Sequence, residues 1–116
     1  MNLVKVPIYK ILFCNKALFK LYNQRSLLPV SIGLKLHKMI KQFDEIEEYV
    51  FNLMEITFEN FDISNMTEEQ TKFYNKIISS EVEVDISYVN KEFFENNNDL
   101  MLTLEDIEYL SILFKE

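Results

Sequence analysis

The first 43 residues contain no Asp and no Glu. Eight of the chain's 12 Lys and Arg fall there, and all 19 acids follow from Asp44 onward against four lysines. Glycine is nearly absent as well, with one in 116 residues, and proline occurs twice. So few breakers argue against a many-stranded β fold, whose tight turns call on Gly, Asn or Asp. A single Gly also excludes a Gly-rich phosphate loop. One histidine, His37, excludes a multi-histidine metal site within one chain. One cysteine, Cys14, excludes an internal disulfide; it fits a small core residue in a reducing compartment. No long apolar run is present, and Lys10 and Lys16 interrupt the apolar segment 11–14. The expectation is a soluble, cytoplasmic protein with no signal peptide and no spanning helix.

Apolar residues make up 48% of the chain and include ten Phe and six Tyr, which is enough to build a core in one domain spanning residues 1–116. Periodicity predicts a first helix over residues 7–23. Ile8, Ile11, Leu12, Leu18, Phe19 and Leu21 crowd it, and Asn15, Lys16 and Lys20 form its polar side. Pro7 suits its first turn. The dominant element is a helix over about 30–60. Ile32, Leu36, Met39, Phe43, Ile46, Val50 and Leu53 recur at alternating spacings of 4 and 3. Its lone Gly33 leaves room for close packing against the first helix. This helix is basic at its start and acidic afterwards, the reverse of what a helix dipole favours. That order points to what each end must face.

A loop over 61–66 precedes Thr67-Glu68-Glu69-Gln70, a capping box that opens a third helix to about Ser80. This helix is expected to bury Phe73, Ile77 and Ile78. Strict alternation over 81–86 predicts a β-strand with Val82, Val84 and Ile86 inward. Its best partner is the segment 3–6, which places Lys5 near Glu83 or Asp85; the segment 100–102 is the second choice. Residues 92–98 read as a polar loop. Thr103 caps a last helix, with Asp106 favouring its positive end and Leu104, Ile107, Leu110, Ile112, Leu113 and Phe114 on its buried side. The fold class is mainly α with a minor β part: a long central helix, two or three shorter helices and a two-stranded β element.

No catalytic constellation emerges. A Cys14/His37 nucleophile pair lacks an orienting third group, and Cys14 sits on a strongly apolar helix. Asp44 and Glu48 share a helix face, as do Glu55 and Glu59. The Glu-x-x-His element of inward-facing two-metal bundle sites is missing, and Phe43, Ile46 and Val50 hold the inward stripe, so the acids are expected to point outward. No cofactor and no metal are expected, and the chain reads as a non-enzyme.

The candidate binding residues are therefore two charged sets. One is basic: Lys16, Lys20, Arg25, Lys35, Lys38 and Lys41. The other is acidic: Asp44, Glu45, Glu47, Glu48, Glu55 and Glu59. Cations interleaved with Tyr9, Phe13, Phe19 and Tyr22 can serve a nucleic-acid groove, but the acidic remainder repels a polyanion. Mutual neutralisation, within one chain or between copies, ranks ahead of that reading.

Several segments resemble a group of small phage-encoded helical proteins, most of them without assigned function. They are Leu28-Pro29 followed by Lys35-Leu36 and Lys38; Phe43-Asp44-Glu45-Ile46-Glu47-Glu48; Tyr74-Asn75-Lys76 leading into Glu81-Val82-Glu83-Val84; and Leu102-Thr103-Leu104-Glu105-Asp106-Ile107 followed by Leu110. The resemblance runs from about residue 16 and departs over the aromatic stretch 51–61. It implies a viral or prophage origin, a place in the host cytoplasm and a binding role, and it brings no active site. The expected function is a protein-binding module that modulates or inhibits a host protein. A self-associating structural or virion-assembly component is second, and nucleic-acid binding through the basic third is the remaining reading.

Overall fold

The computed structural model describes residues 2–115. In chain order it has β1 (Leu3–Pro7), α1 (Ile8–Tyr22), a 3-10 turn (Arg25–Leu27), α2 (Val30–Thr57), a 3-10 turn (Ile63–Asn65), α3 (Glu68–Ile78), β2 (Glu81–Asp85), α4 (Lys91–Glu95), α5 (Leu104–Tyr109) and a final 3-10 turn (Leu110–Leu113). The mainly α class with a minor two-stranded sheet is what the sequence predicts.

α2 is the spine. Leu36, Met39, Phe43, Val50 and Met54 are buried along one stripe, and Ile32 and Ile46 are half-buried on its flank. Against it lies α1, with Ile11, Cys14, Ala17, Leu18 and Leu21 almost fully excluded from solvent. Leu110 and Leu113 close the core from the C-terminal end, and Phe94 packs on Phe114 at 5.8 Å between ring centres. A parallel bridge between Val89 and Phe114 ties that end to the segment after β2.

β1 pairs antiparallel with β2, with Lys5 opposite Glu83 and Val6 opposite Val82. Val84 and Ile86 are buried and Val82 half-buried, as the alternation requires. The segment 100–102 forms no strand. At the free edge of β2, Gln42 of α2 pairs with the last residue: it donates from Nε2 to the Asp85 carbonyl at 3.0 Å and accepts from the Asp85 N–H at 2.8 Å. A carboxamide thus imitates a neighbouring strand at this one residue and satisfies backbone groups that would otherwise offer themselves for pairing.

The Thr67/Gln70 capping box is present, and Thr103 with Asp106 forms a second. Five expectations need correction. α2 stops at Thr57, because Phe58 swings into an extended conformation and packs edge-on against Phe73 at 5.6 Å. Asn60 then takes a left-handed conformation, which Asn tolerates better than most residues. Phe73, Ile77 and Ile78 are half-buried rather than buried, since α3 lies on the surface and buries only Gln70. Residues 91–95 form a helical turn, capped by Asn90, whose Oδ1 accepts from the Glu92 N–H at 2.9 Å. Leu104 is 82% exposed, because the last α-helix is one short turn that carries Leu104 on its outer side. Pro7 closes β1 and caps α1 from outside its first turn.

Gly33 is also not a close-packing residue, as an added Cβ would meet nothing within 4 Å. Gly33→Ala is expected to stabilise the protein by about 0.5–1 kcal/mol through helix propensity and a less flexible unfolded chain. Urea unfolding measures this directly. Gln42→Leu is expected to destabilise by about 1–2 kcal/mol, since the Asp85 N–H loses its acceptor. The same unfolding experiment reads it.

Candidate functional site

The two charged sets are spread over several environments. Lys20 Nζ on α1 reaches Asp106 Oδ2 on α5 at 2.6 Å, and Lys38 Nζ on α2 reaches Asp85 Oδ2 on β2 at 3.0 Å. These two pairs neutralise part of the basic third within the chain. Lys35 Nζ donates to the Tyr88 carbonyl at 3.1 Å. Arg25 lies over the Tyr22 ring at 4.7 Å and donates to the Tyr22 carbonyl at 3.1 Å. Lys16 sits over Phe13, 5.9 Å from the ring centre. Lys41 is exposed and forms no ion pair among the described residues. The cations that were expected to act as one set thus serve different neighbours.

The acids also divide. Glu45, Glu48, Glu55 and Glu59 are exposed. Glu59 lies beyond the end of α2, so it does not share a helix face with Glu55. Asp44 and Glu47 do not point into open solvent. Both are half-buried against α1, where Asn15 Nδ2 donates to Asp44 Oδ1 at 2.8 Å and to Glu47 Oε2 at 3.1 Å. Asn15, expected on the polar side of α1, is buried. Its Oδ1 has no partner, the one such atom among the buried side chains described. This amide clamps two acids of α2 to α1 and fixes the register of the two helices.

Beside the clamp is a groove of about 230 Å³ between α1, α2 and α3. Tyr9, Leu12, Phe13 and Lys16 line it from α1, and Glu47, Val50 and Phe51 from α2. Ile63 closes one side, and Tyr74 and Ile78 line it from α3. Its walls are mostly apolar, with Lys16 and Glu47 supplying opposite charges. Phe13 is partly exposed at the lip and stacks on Tyr109 with ring centres 5.0 Å apart. Burial pushes the Tyr74 hydroxyl's pKa up, and the Glu47 charge adds to it, so Tyr74 stays a neutral hydrogen-bonding group. Phe51 packs on Phe61 at 6.2 Å, and Phe51, Phe58 and Phe61 are all half-buried. They are neither deep core nor an open patch, and of the three only Phe51 lines the groove. A larger depression of about 700 Å³ over Asn90, Phe93 and residues 96–99 is open and ringed by amides.

Sequence reasoning placed the candidate site in the charges and missed the groove. The available signal was Tyr9 and Phe13 at i, i+4 on α1, outside the stripe that α1 buries. The residues from α3 and the 63–65 turn arrive through tertiary packing alone.

Burial pushes the Cys14 thiol's pKa far up, so it is no thiolate nucleophile. His37 is exposed, with Nδ1 3.3 Å from the Tyr22 hydroxyl. Among the described residues no three His, Cys, Asp or Glu side chains are placed to hold a metal ion, and no helix is long and apolar enough to cross a membrane. No protein-family model, no curated protein and no solved structure matches the chain.

The two long-range ion pairs within the chain respond to pH in a definite direction. The backbone N–H of Asn2, followed by Lys38, holds the Asp85 carboxyl below its ordinary pKa of 3.8. Partial burial pushes the Asp106 carboxyl up, but the Lys20 ammonium and the two Thr103 donors outweigh it, and the net direction is down. A depressed folded pKa adds stability that is fully present above the unfolded value and is lost as pH falls through the folded one. Stability is therefore expected to drop as pH falls below 3.8. A variant carrying Lys20→Met and Lys38→Met should start lower at neutral pH and lose less in acid. Urea unfolding of both chains at neutral pH and at about pH 2 makes the comparison.

Proposed function

We propose that this protein is a non-enzymatic binding module that docks a partner protein through the groove between α1, α2 and α3. One observation carries the reading. A mostly apolar, aromatic-rich recess opens beside exposed Tyr9 and Phe13, with a cation and an anion on its walls. Interface hot spots have this character: apolar and aromatic anchors in a recess, rimmed by groups that orient the partner. The size favours a protein side chain over a free metabolite. About 230 Å³ falls below the usual range of about 300–1,000 Å³ for small-molecule sites, yet it accommodates one or two apolar side chains.

The resemblance to phage-encoded helical proteins supports an accessory role in which the captured protein belongs to the bacterial host and is modulated or inhibited by the contact. Nucleic-acid binding gains less support. Of the six cations suited to phosphate, only Lys41 lacks an internal neighbour among the contacts described.

Affinity capture from host lysate tests the reading. The native chain is expected to retain one protein at equal stoichiometry. Phe13→Ala and Ile63→Asp should each weaken retention by about thirtyfold, the scale of a hot-spot loss. Leu27→Ala, an exposed apolar residue outside the groove, should leave it unchanged. Retention indifferent to Phe13 and Ile63, or no retained protein at all, overturns the reading.

A further inference from the structure

The outward face of α2 carries an ordered pattern that the folded chain does not use. Successive residues of an α-helix turn by about 100°. On that wheel Lys41, Glu45 and Glu48 fall opposite the buried stripe of Leu36, Phe43 and Met54, and all three are exposed. The same face begins with Val30 and Leu34, 78% and 66% exposed, and ends with Tyr49 and Ile56, 59% and 84% exposed. Large apolar side chains therefore sit at both ends of a charged middle.

The rest of the fold explains only part of this. The basic start of α2 runs against its own dipole. Lys35 and Lys38 have a local reason, since they reach Tyr88 and Asp85 alongside β2. Lys41, Glu45 and Glu48 take part in no ion pair among the described residues.

We propose that this face is the interface of an antiparallel homodimer, with α2 of one copy lying against α2 of a second. The order of charge selects both the occupant and the direction. A parallel pair would set Lys41 on Lys41 and Glu45 on Glu45. An antiparallel pair with its two-fold axis near Phe43 sets Lys41 opposite Glu45 of the second copy and Val30 opposite Ile56. Symmetry repeats each contact. α2 has 28 residues and is about 42 Å long, close to the 45 Å length of the whole molecule, so the contact can run along its full extent. Exposed ion pairs are individually weak and screened by salt, so the dimer is salt-sensitive, with the terminal apolar residues adding the non-ionic part. The surface is separate from the groove, and the dimer does not depend on the groove's function.

Light scattering across a salt series on the full chain tests the proposal. Twice the chain mass is expected at low salt, falling toward the chain mass as salt rises. Lys41→Glu and Glu45→Lys should each weaken self-association by about tenfold or more, because each sets like charges face to face. Mixing the two variants should restore a dimer, since both crossed contacts then pair a carboxylate with an ammonium. That recovery requires both chains to be folded, so it separates interface loss from misfolding. A native chain that stays monomeric at low salt and high concentration overturns the proposal. So does a dimer indifferent to salt and to both reversals, or a mixture that recovers nothing. Should a reversed chain fail to fold, the salt series on the native chain still decides.

Discussion

The seam between α1 and α2 sets the position of the other elements. Ile11, Cys14, Leu18 and Leu21 on one helix and Leu36, Met39 and Phe43 on the other are essentially free of solvent contact. Hydrophobic burial alone would tolerate sliding by a turn, because it is non-directional. The Asn15 amide removes that freedom by holding Asp44 and Glu47 at the same time. With the register fixed, Gln42 meets the edge of β2, Lys38 meets Asp85, and Phe13 stands at the lip of the groove facing Tyr109. A buried amide with one unsatisfied oxygen carries an energetic penalty, and fixing this register is what that penalty obtains.

The charge split follows the same logic in two parts. Lys20 and Lys38 come from the basic third and find acids 86 and 47 residues away. Each attaches a later element to the two-helix frame: α5 through Asp106, and β2 through Asp85. Asp106 also closes the capping box of α5, so a single carboxylate starts the helix and anchors it to α1. The basic start of α2 is thus an attachment site for chain that arrives later. The sign that the dipole disfavours is retained at Lys38 and Lys35, which have a carboxylate and a carbonyl to reach.

The features legible in the sequence are those whose physics is local. The Thr67/Gln70 capping box and the Thr103 cap could be read from four residues each, and the strand from its alternation. The buried stripe of α2 could be read from its spacing. The pairing of Lys5 with Glu83 followed once β1 was chosen as partner. Non-local causes stayed hidden. Nothing near Thr57 stops the helix except Phe58 finding Phe73 fifteen residues later. Asn15 is polar on an apolar helix, and its inward turn depends on acids 29 and 32 positions away. Leu104 has the composition of a core residue, but a helix of six residues has only one inner side. The groove failed for the same reason. Three helices and a turn contribute to it, and only the Tyr9/Phe13 pair left a mark in the local pattern.

α2 therefore presents three faces with three different kinds of chemistry. Its apolar stripe is spent on the core. Glu47, Val50 and Phe51, on one flank, form a wall of the groove. Lys41, Glu45 and Glu48 lie on the opposite side and are exposed. A face used for folding alone needs only to be polar. It does not need apolar residues at both ends or a change of sign midway, since scattered charges of either sign keep a surface solvated equally well. A second helix lying along this face would meet that order directly: an in-register parallel pair sets like charges together, whereas the antiparallel pair sets Lys41 against Glu45. The core-facing stripe fixes which side of α2 turns outward, so the packing that builds the fold also determines which residues a second copy would meet.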